Sequence, residues 1–245
     1  MNFATPCGRS KMPILIWPMA ISTPDAISGG CPGSTPNGAR LINDTLDGSA
    51  FNTTEAEETF AFLAELTQEE LIAPPGEAPE LFTFGAVAIN GGGHWGISNL
   101  LDDIGGAFEL GATFFPQRKE PGLALGGDYL AAYSEGDHTE TAAQFLDFLT
   151  SDMVLNEYIG SNNYLSPRVD VTPEYPTGQE IMDLVAEQAR AMSSETLTLH
   201  RGLPQFNLIN QVFTAEYQLT VLGEKSPQDA VQAISDAIDE VMAAD

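Results

Sequence analysis

Residues 84–99, FGAVAINGGGHWGISN, contain the features that decide the fold class. The apolar run over residues 84–90 predicts a strand, the three glycines that follow predict a turn, and a helix is expected to begin at Trp95. A strand that leads through a turn into a helix is typical of an α/β sheet. Ligands bind such sheets at the carboxyl ends of the strands, and glycine lets backbone amides approach a bound molecule closely. The stretch therefore predicts a binding site beside Trp95.

The composition excludes several classes of function. A hydrophobic content of 43% with 13 Phe is enough apolar surface for the core of one large or two small domains. No stretch reaches the roughly 18 uncharged apolar residues of a membrane span, so we expect no membrane insertion. The 35 acidic residues outnumber the 9 Lys and Arg and give a net charge of −26, which repels nucleic acids and anionic lipid surfaces. Because the acids are scattered, they indicate a solvated surface, and they suggest a high-salt habitat.

The amino-terminal residues leave two interpretations open. Basic residues precede a short apolar run in residues 9–20, as in a signal peptide, although two prolines interrupt it. The alternative is an internal loop and strand of a longer parent protein. Cys7 and Cys31 form one disulfide bridge or none, and their spacing does not indicate a metal site.

Apolar spacing and capping residues predict the other elements. The first helix is expected over residues 54–71, with Thr54 and Glu57 as a capping box. The last helix is expected to be capped by Ser226, with Pro227 at its first position. Residues 43–48 resemble a calcium loop, but Leu46 stands where an oxygen ligand is required, so we expect a turn. Further strands are expected over residues 110–115 and 130–133, and further helices over residues 139–150, 152–159, 178–192 and 205–222.

Five segments together resemble a known family. They are residues 84–99, FFP at 114–116, LGGDYLA at 125–131, TAAQFLDFLTS at 141–151 and NYLSPR at 163–168. In this order they are similar to segments of the extracellular solute-binding proteins of ABC importers, family 1, the sugar-binding type that includes the maltose-binding protein. The first forty residues match that family poorly.

The resemblance implies an α/β fold of the periplasmic-binding-protein-like type II, in which two lobes exchange chain. Residues 1–126 and 164–245 would form a largely complete C-terminal lobe. Residues 127–163 would form part of an N-terminal lobe whose main sheet is absent, so the chain resembles the back half of a two-lobed protein. We expect such a half to bind solute weakly by itself and to expose the apolar face of the helix at residues 139–150.

The resemblance also implies a function without chemistry. The chain would be the substrate-binding component of an ABC importer, periplasmic or extracellular. It would bind a small-molecule carbohydrate by hinge closure and deliver it to the transmembrane subunits of a membrane permease. Neither nucleic acid nor membrane insertion is expected, and neither is a cofactor, a metal or a catalytic residue.

Trp95 is the leading candidate for ligand contact, because an indole face stacks on the apolar face of a sugar ring. The alternative is a core tryptophan that packs the helix on the sheet. Asn90 and His94 flank the glycine turn, and a surface position is the more common one for such a histidine. Asn99 is expected on the surface of the helix or as a capping residue.

Polar candidates come from two other segments. The family implies that Asp128 and Tyr129, after the Gly-Gly crossing, face the cleft. Asp128 could accept charge-assisted hydrogen bonds from two hydroxyls or be a solvated turn residue. The family also implies that Gln205, Asn207 and Asn210 face the cleft. Asn210 stands where maltose-binding members have a tryptophan, a departure that counts against a maltodextrin ligand.

A glycan-active α/β enzyme is the alternative from another class. The sequence around Ser98 lacks the second glycine of a nucleophile elbow, the three histidines form no HExxH motif, and no lysine follows the triple glycine. Among 35 acidic residues some pair always resembles a glycosidase couple, so carboxylate pairs do not discriminate.

Overall fold

The computed structural model describes residues 35, 37–69, 71, 80–85, 89–114, 118–119, 130–191 and 203–244. Cys7 and Cys31 and the amino-terminal segment at residues 9–20 lie outside the described residues. Within the described part, none of the helices is long and apolar enough to cross a membrane. The helices are α1 (Thr54–Gln68), α2 (Glu80–Thr83), α3 (Ile97–Ile104), α4 (Thr139–Leu149), α5 (Asp152–Val154), α6 (Gln179–Ala191), α7 (Phe206–Val221) and α8 (Pro227–Ala243).

The chain divides into two compact units. The first unit comprises Met1–Gly91, Pro116–Ala124 and Thr198–Asp245, and the second comprises Gly92–Phe115 and Leu125–Leu197. These units are defined by packing, whereas the two lobes predicted from the sequence are defined by the strand connections of the resembled fold. The lobe boundaries therefore stay a prediction.

The core of the first unit lies between α1, α7 and α8. Four aromatic rings meet there: Phe60 lies 5.8 Å from Phe51, 5.7 Å from Phe213 and 6.0 Å from Tyr217, measured between ring centroids. Edge-to-face pairs at these distances are the favoured geometry of buried aromatic side chains. This core fixes the position of α7, which carries two of the predicted ligand contacts, Asn207 and Asn210, and follows a third, Gln205.

Both predicted helix caps of this unit are close to the observed ones. Ser226 caps α8, and its hydroxyl accepts a hydrogen bond of 3.1 Å from the backbone N–H of Asp229, as predicted. The cap of α1 is Thr53 and not Thr54, because Thr53 has extended backbone angles and its hydroxyl accepts from the N–H of Ala56 at 3.3 Å. An N-cap residue requires that nonhelical conformation.

The predicted turn at residues 43–48 is confirmed. An antiparallel bridge joins Ile42 to Ser49 at its base, and Leu46 adopts a left-handed φ of 60°. The Asn43 amide donates to Oδ1 of Asp47 at 2.9 Å, so the polar side chains of the turn bond to one another. Leu46, which ruled out a calcium loop, occupies the tip.

The predicted strands do not form where the structure describes them. Residues 84–85 are a turn after α2, and residues 89–90, 110–114 and 130–133 have no strand ladder. A strand needs a neighbour for its backbone hydrogen bonds and a buried face for its side chains. Among the described residues no segment pairs with these stretches, and a buried face is missing at Phe84, which is 82% exposed, and at Tyr133, which is 74% exposed. Residues 86–88 and 115 lie outside the described residues.

The second unit consists of short helices around a small core. This core contains Ile97 of α3, Met182 of α6, and Tyr175, which precedes α6. The helix predicted over residues 152–159 is present as α5 followed by a π-helical turn, Leu155–Ile159, and the helix at residues 139–150 is α4. No side chain of α4 is buried. The sequence predicted this exposed apolar face, and the structure confirms it for Phe145 and Phe148.

Candidate functional site

The glycine turn places Trp95 on the surface of the second unit. Residues His94–Gly96 form one 3-10 turn that runs directly into α3. The indole folds back over Gly93, where a β-carbon would lie 2.3 Å from the ring atom Cη2. Only glycine allows this approach. Trp95 remains 54% exposed, so the alternative of a core tryptophan is wrong.

The ring of His94 lies between two other aromatic rings, those of Trp95 and Tyr164. The ring centroid of His94 is 5.3 Å from that of Trp95 and 5.7 Å from that of Tyr164, and both pairs are edge-to-face. Tyr164 is 38% exposed. We call Trp95, His94 and Tyr164 the aromatic triplet. Its two outer members offer exposed rings to a ligand.

Asn163 is a buried residue that contacts the aromatic triplet through His94. It is 1% exposed and adopts a left-handed φ of 56°, which asparagine tolerates better than most residues. Its amide nitrogen donates to the carbonyl of Thr177 at 2.8 Å, and its Oδ1 accepts from the hydroxyl of Ser98. Its backbone carbonyl lies 2.6 Å from Nδ1 of His94. One buried residue thus joins three segments of the unit.

The contact with Asn163 sets the protonation of His94. A carbonyl oxygen only accepts hydrogen bonds, so Nδ1 of His94 carries the proton and Nε2 carries the lone pair. Burial lowers the pKa of His94 below its ordinary value, and the hydrogen bond to Asn163 opposes this shift without cancelling it. The imidazole is therefore neutral at pH 7. A surface position was expected for His94; instead it is partly buried, because its ring fills the space between two aromatic neighbours.

Tyr164 is held in place through its backbone. The hydroxyl of Tyr175 donates to the carbonyl of Tyr164 at 3.2 Å, and burial raises the pKa of that hydroxyl. Gly178 has a left-handed φ of 72°, and a β-carbon there would lie 2.9 Å from Cγ2 of Ile97. Glycine therefore allows the segment before α6 to approach α3 closely.

The other predicted contacts lie in different parts of the chain. Trp95 belongs to the second unit, whereas Asn90 and the three residues at the start of α7 (Gln205, Asn207 and Asn210) belong to the first. Gln205 immediately precedes α7, Asn207 is exposed on its first turn, and Asn210 is partly buried one turn later. The structure brings these three together on one helix end. Asp128 and Tyr129 lie outside the described residues.

Oδ1 of Asn210 is buried and has no hydrogen-bond partner among the described residues. An amide oxygen in that state is costly unless a ligand or water satisfies it. Asn99 is exposed on α3, as expected. Within the described ranges no three His, Cys, Asp or Glu side chains are grouped to hold a metal ion.

The sequence reasoning missed the roles of Asn163 and Tyr164. Both lie in the NYLSPR segment, which contributed to the resemblance but was given no function. A signal was present, since paired asparagines after a predicted helix are typical of a residue with positive φ. The partner of such a residue, 65 positions away at Ser98, has no signal in a single sequence.

Comparison with known families gives a match. Residues 19–183 match the model of a bacterial extracellular solute-binding protein family. That match covers more than half of the chain, including the whole segment that carries the triplet. No protein in the curated set matches the chain.

Three solved structures share the fold at low sequence identity. The cyclic α-maltosyl-1,6-maltose binding protein from Arthrobacter globiformis aligns with a TM-score of 0.69 and 19% identity over 86% of this chain and 54% of its own. The maltose/maltodextrin-binding domain from Bdellovibrio bacteriovorus bound to maltotriose aligns with a TM-score of 0.58 and 19% identity over 85% of this chain and 55% of its own. An ABC transporter solute-binding protein from Thermotoga lettingae bound with α-D-tagatose aligns with a TM-score of 0.58 and 16% identity over 84% of this chain and 54% of its own.

These likenesses confirm the predicted fold class, the periplasmic-binding-protein-like α/β fold. The chain spans about half the length of the solved structures that it matches.

Proposed function

Because this chain belongs to a bacterial extracellular solute-binding protein family, we propose that it is the substrate-binding component of an ABC importer for a carbohydrate. The proteins whose structures it resembles are described as binding a cyclic maltosyl-maltose, maltotriose and tagatose, which are all carbohydrates. The proposal extends that class of ligand to this chain.

The aromatic triplet is the observation that carries the proposal. Trp95 is a large apolar side chain that the sequence keeps on the surface, and Gly93 is needed to seat it there. A flat, exposed indole matches the C–H face of a sugar ring, and neighbouring polar groups can bond the hydroxyls at its edge. Because Asn163 fixes the adjacent ring, little conformational entropy is lost when a ligand binds.

The remaining predicted contacts are proposed as polar ligands of the solute. Asn90, Gln205, Asn207 and Asn210 carry amides that donate and accept hydrogen bonds, as neutral hydroxyls require. The buried Oδ1 of Asn210 supports this role for α7. Asp128 would form the stronger charge-assisted bonds and Tyr129 would add a further ring.

The mechanism that we propose is hinge closure without chemistry. Solute binds between two lobes, stabilises the closed conformation, and the transmembrane subunits of the permease recognise that conformation. The protein acts in the periplasm or outside the cell. The family and the matched structures are substrate-binding proteins, which favours this mechanism over that of a glycan-active enzyme.

Tryptophan fluorescence tests the proposal directly, because the chain has two tryptophans, Trp17 and Trp95. Titration with maltotriose and with D-tagatose should change the emission of the wild type and of Trp17→Phe. Trp95→Phe should abolish that change. A response that survives in Trp95→Phe would place the site elsewhere, and release of the chromophore from a chromogenic glycoside would favour the enzyme.

A further inference from the structure

We infer that Nε2 of His94 accepts a hydrogen bond from a hydroxyl group of the solute that stacks on Trp95. The inference rests on the proposed function and adds to it a residue that determines specificity. Stacking on the indole selects any ligand with an apolar face. A fixed acceptor beside the indole selects a ligand that presents a donor at one position.

The first step of the argument is the tautomer of His94. Its Nδ1 lies 2.6 Å from the carbonyl of Asn163 and must donate, because that carbonyl has no hydrogen to give. In the neutral ring, Nε2 then has a lone pair and no proton. The histidine therefore presents an acceptor and not a donor on its far side.

The second step is the rigidity of the ring. Asn163 is held at both ends of its amide by Ser98 and Thr177, so the carbonyl that orients His94 does not move freely. Edge-to-face contacts with Trp95 and Tyr164 restrict rotation of the imidazole about its own axis. An acceptor that is oriented before binding contributes more to affinity than one that must be ordered.

The third step is that Nε2 is available. Among the described residues the hydrogen bond of the ring is made by Nδ1 and none by Nε2, and the ring of His94 is only partly buried. It lies next to Trp95, which is 54% exposed. A sugar stacked on the indole would carry its hydroxyls close to His94, whose ring centroid lies 5.3 Å from that of Trp95.

Two substitutions of His94 test the roles of its two ring nitrogens separately. In His94→Asn the amide nitrogen is two bonds from Cβ, as Nδ1 is, so the bond to Asn163 is kept and the outer acceptor is lost. In His94→Gln the amide oxygen is three bonds from Cβ, as Nε2 is, so an acceptor is kept. The exposed His138, with the same two substitutions, is the matched control.

The experiment is a titration of the wild type and these variants with maltotriose and D-tagatose. Binding is monitored through the indole resonance of Trp95 and the Nε2 resonance of His94 in ¹⁵N NMR. We expect both resonances to shift in the wild type. His94→Asn should weaken binding about five- to tenfold, the typical effect of one hydrogen bond, and His94→Gln should weaken it less. The His138 variants should bind as the wild type does.

The outcomes distinguish the inference from the proposed function. A shift of the Trp95 resonance with no shift at Nε2 would overturn the inference and leave the proposed function standing, as would full affinity in His94→Asn. If neither resonance responds to either sugar, the proposed function fails and the inference fails with it. The wild-type measurement decides the question even if a variant does not fold.

Discussion

The side-chain amide of Asn163 donates a 2.8 Å hydrogen bond to the backbone carbonyl of Thr177, 14 residues further along the chain. This bond is made from a side chain that is 1% exposed, on a backbone with a left-handed φ of 56°. The same residue orients His94 through its own carbonyl. The second unit therefore depends on Asn163 for both its packing and the geometry of the aromatic triplet.

Replacing Asn163 should destabilise the second unit. Asn163→Ala removes two partly buried hydrogen bonds and places an alanine at positive φ, which together should cost about 2–4 kcal/mol. Asn163→Gly loses the same bonds but adopts the φ freely, so it should cost about 1 kcal/mol less. The free energy of unfolding in urea measures both. Asn162→Ala, at the exposed neighbour, is the control, and an equal loss there would contradict the role of Asn163.

Replacing Gly93 should displace Trp95 without unfolding the protein. A β-carbon at Gly93 would lie 2.3 Å from the indole, so in Gly93→Ala the ring has to rotate away. We expect a changed emission maximum, stronger quenching by acrylamide and weaker binding of any sugar. Gly96→Ala is the matched control, because no atom outside its two chain neighbours lies within 4 Å of its β-carbon position. Unchanged emission in Gly93→Ala would show that the indole does not rest on that glycine.

The sequence predicted the helices well, because their signals are local. Ser226 and Pro227 mark the start of α8, and apolar residues at helical spacing mark the buried face of α1. The strands were not predictable in the same way, since an apolar run such as residues 84–90 becomes a strand only when another segment pairs with it.

In the candidate site, too, features with a local sequence signal were predictable and features that depend on long-range contacts were not. The triple glycine before Trp95 predicted an exposed indole, and the structure confirms the exposure. The contact of His94 with Asn163 joins residues 69 positions apart, so it follows from packing and leaves no trace in the local pattern. The roles of Asn90, Gln205, Asn207 and Asn210 as ligand contacts stay predictions.

Acidification should destabilise the second unit through His94. Its pKa is lowered in the folded protein, mainly by burial, while in the unfolded chain it is about 6.5. Below about pH 6.5 the unfolded state binds more protons, so the free energy of unfolding falls as the pH falls toward the folded pKa. Above that range the histidine contributes no pH dependence.

Urea unfolding between about pH 7.5 and 5.5 measures this effect. His94→Phe should flatten the profile in this window relative to the wild type, whereas a substitution of the exposed His138 should leave it unchanged. Identical profiles for His94→Phe and the wild type would show that the imidazole is not held neutral by the fold.

Salt should stabilise the protein. With 35 acidic residues against 9 basic ones, repulsion between surface carboxylates opposes folding at low ionic strength. Chloride salts screen that repulsion, since the Debye length shortens to about 3 Å at 1 M. We expect the melting temperature to rise from dilute buffer to molar potassium chloride. A flat or falling curve would argue against a high-salt habitat.

The apolar face of α4 should bind hydrophobic dyes. Phe145 is 58% exposed and Phe148 is 48% exposed, and their rings stack with centroids 6.4 Å apart, so they form a contiguous patch. Contiguous exposed apolar surface promotes association, unlike an isolated apolar side chain. Phe145→Ser with Phe148→Ser should lower dye fluorescence and self-association measured by light scattering. Phe62→Ser, which removes a phenylalanine of α1 that is 54% exposed, is the matched control and should change neither. If the double variant binds as much dye as the wild type, the dye binds elsewhere and this face of α4 is not the surface that promotes association.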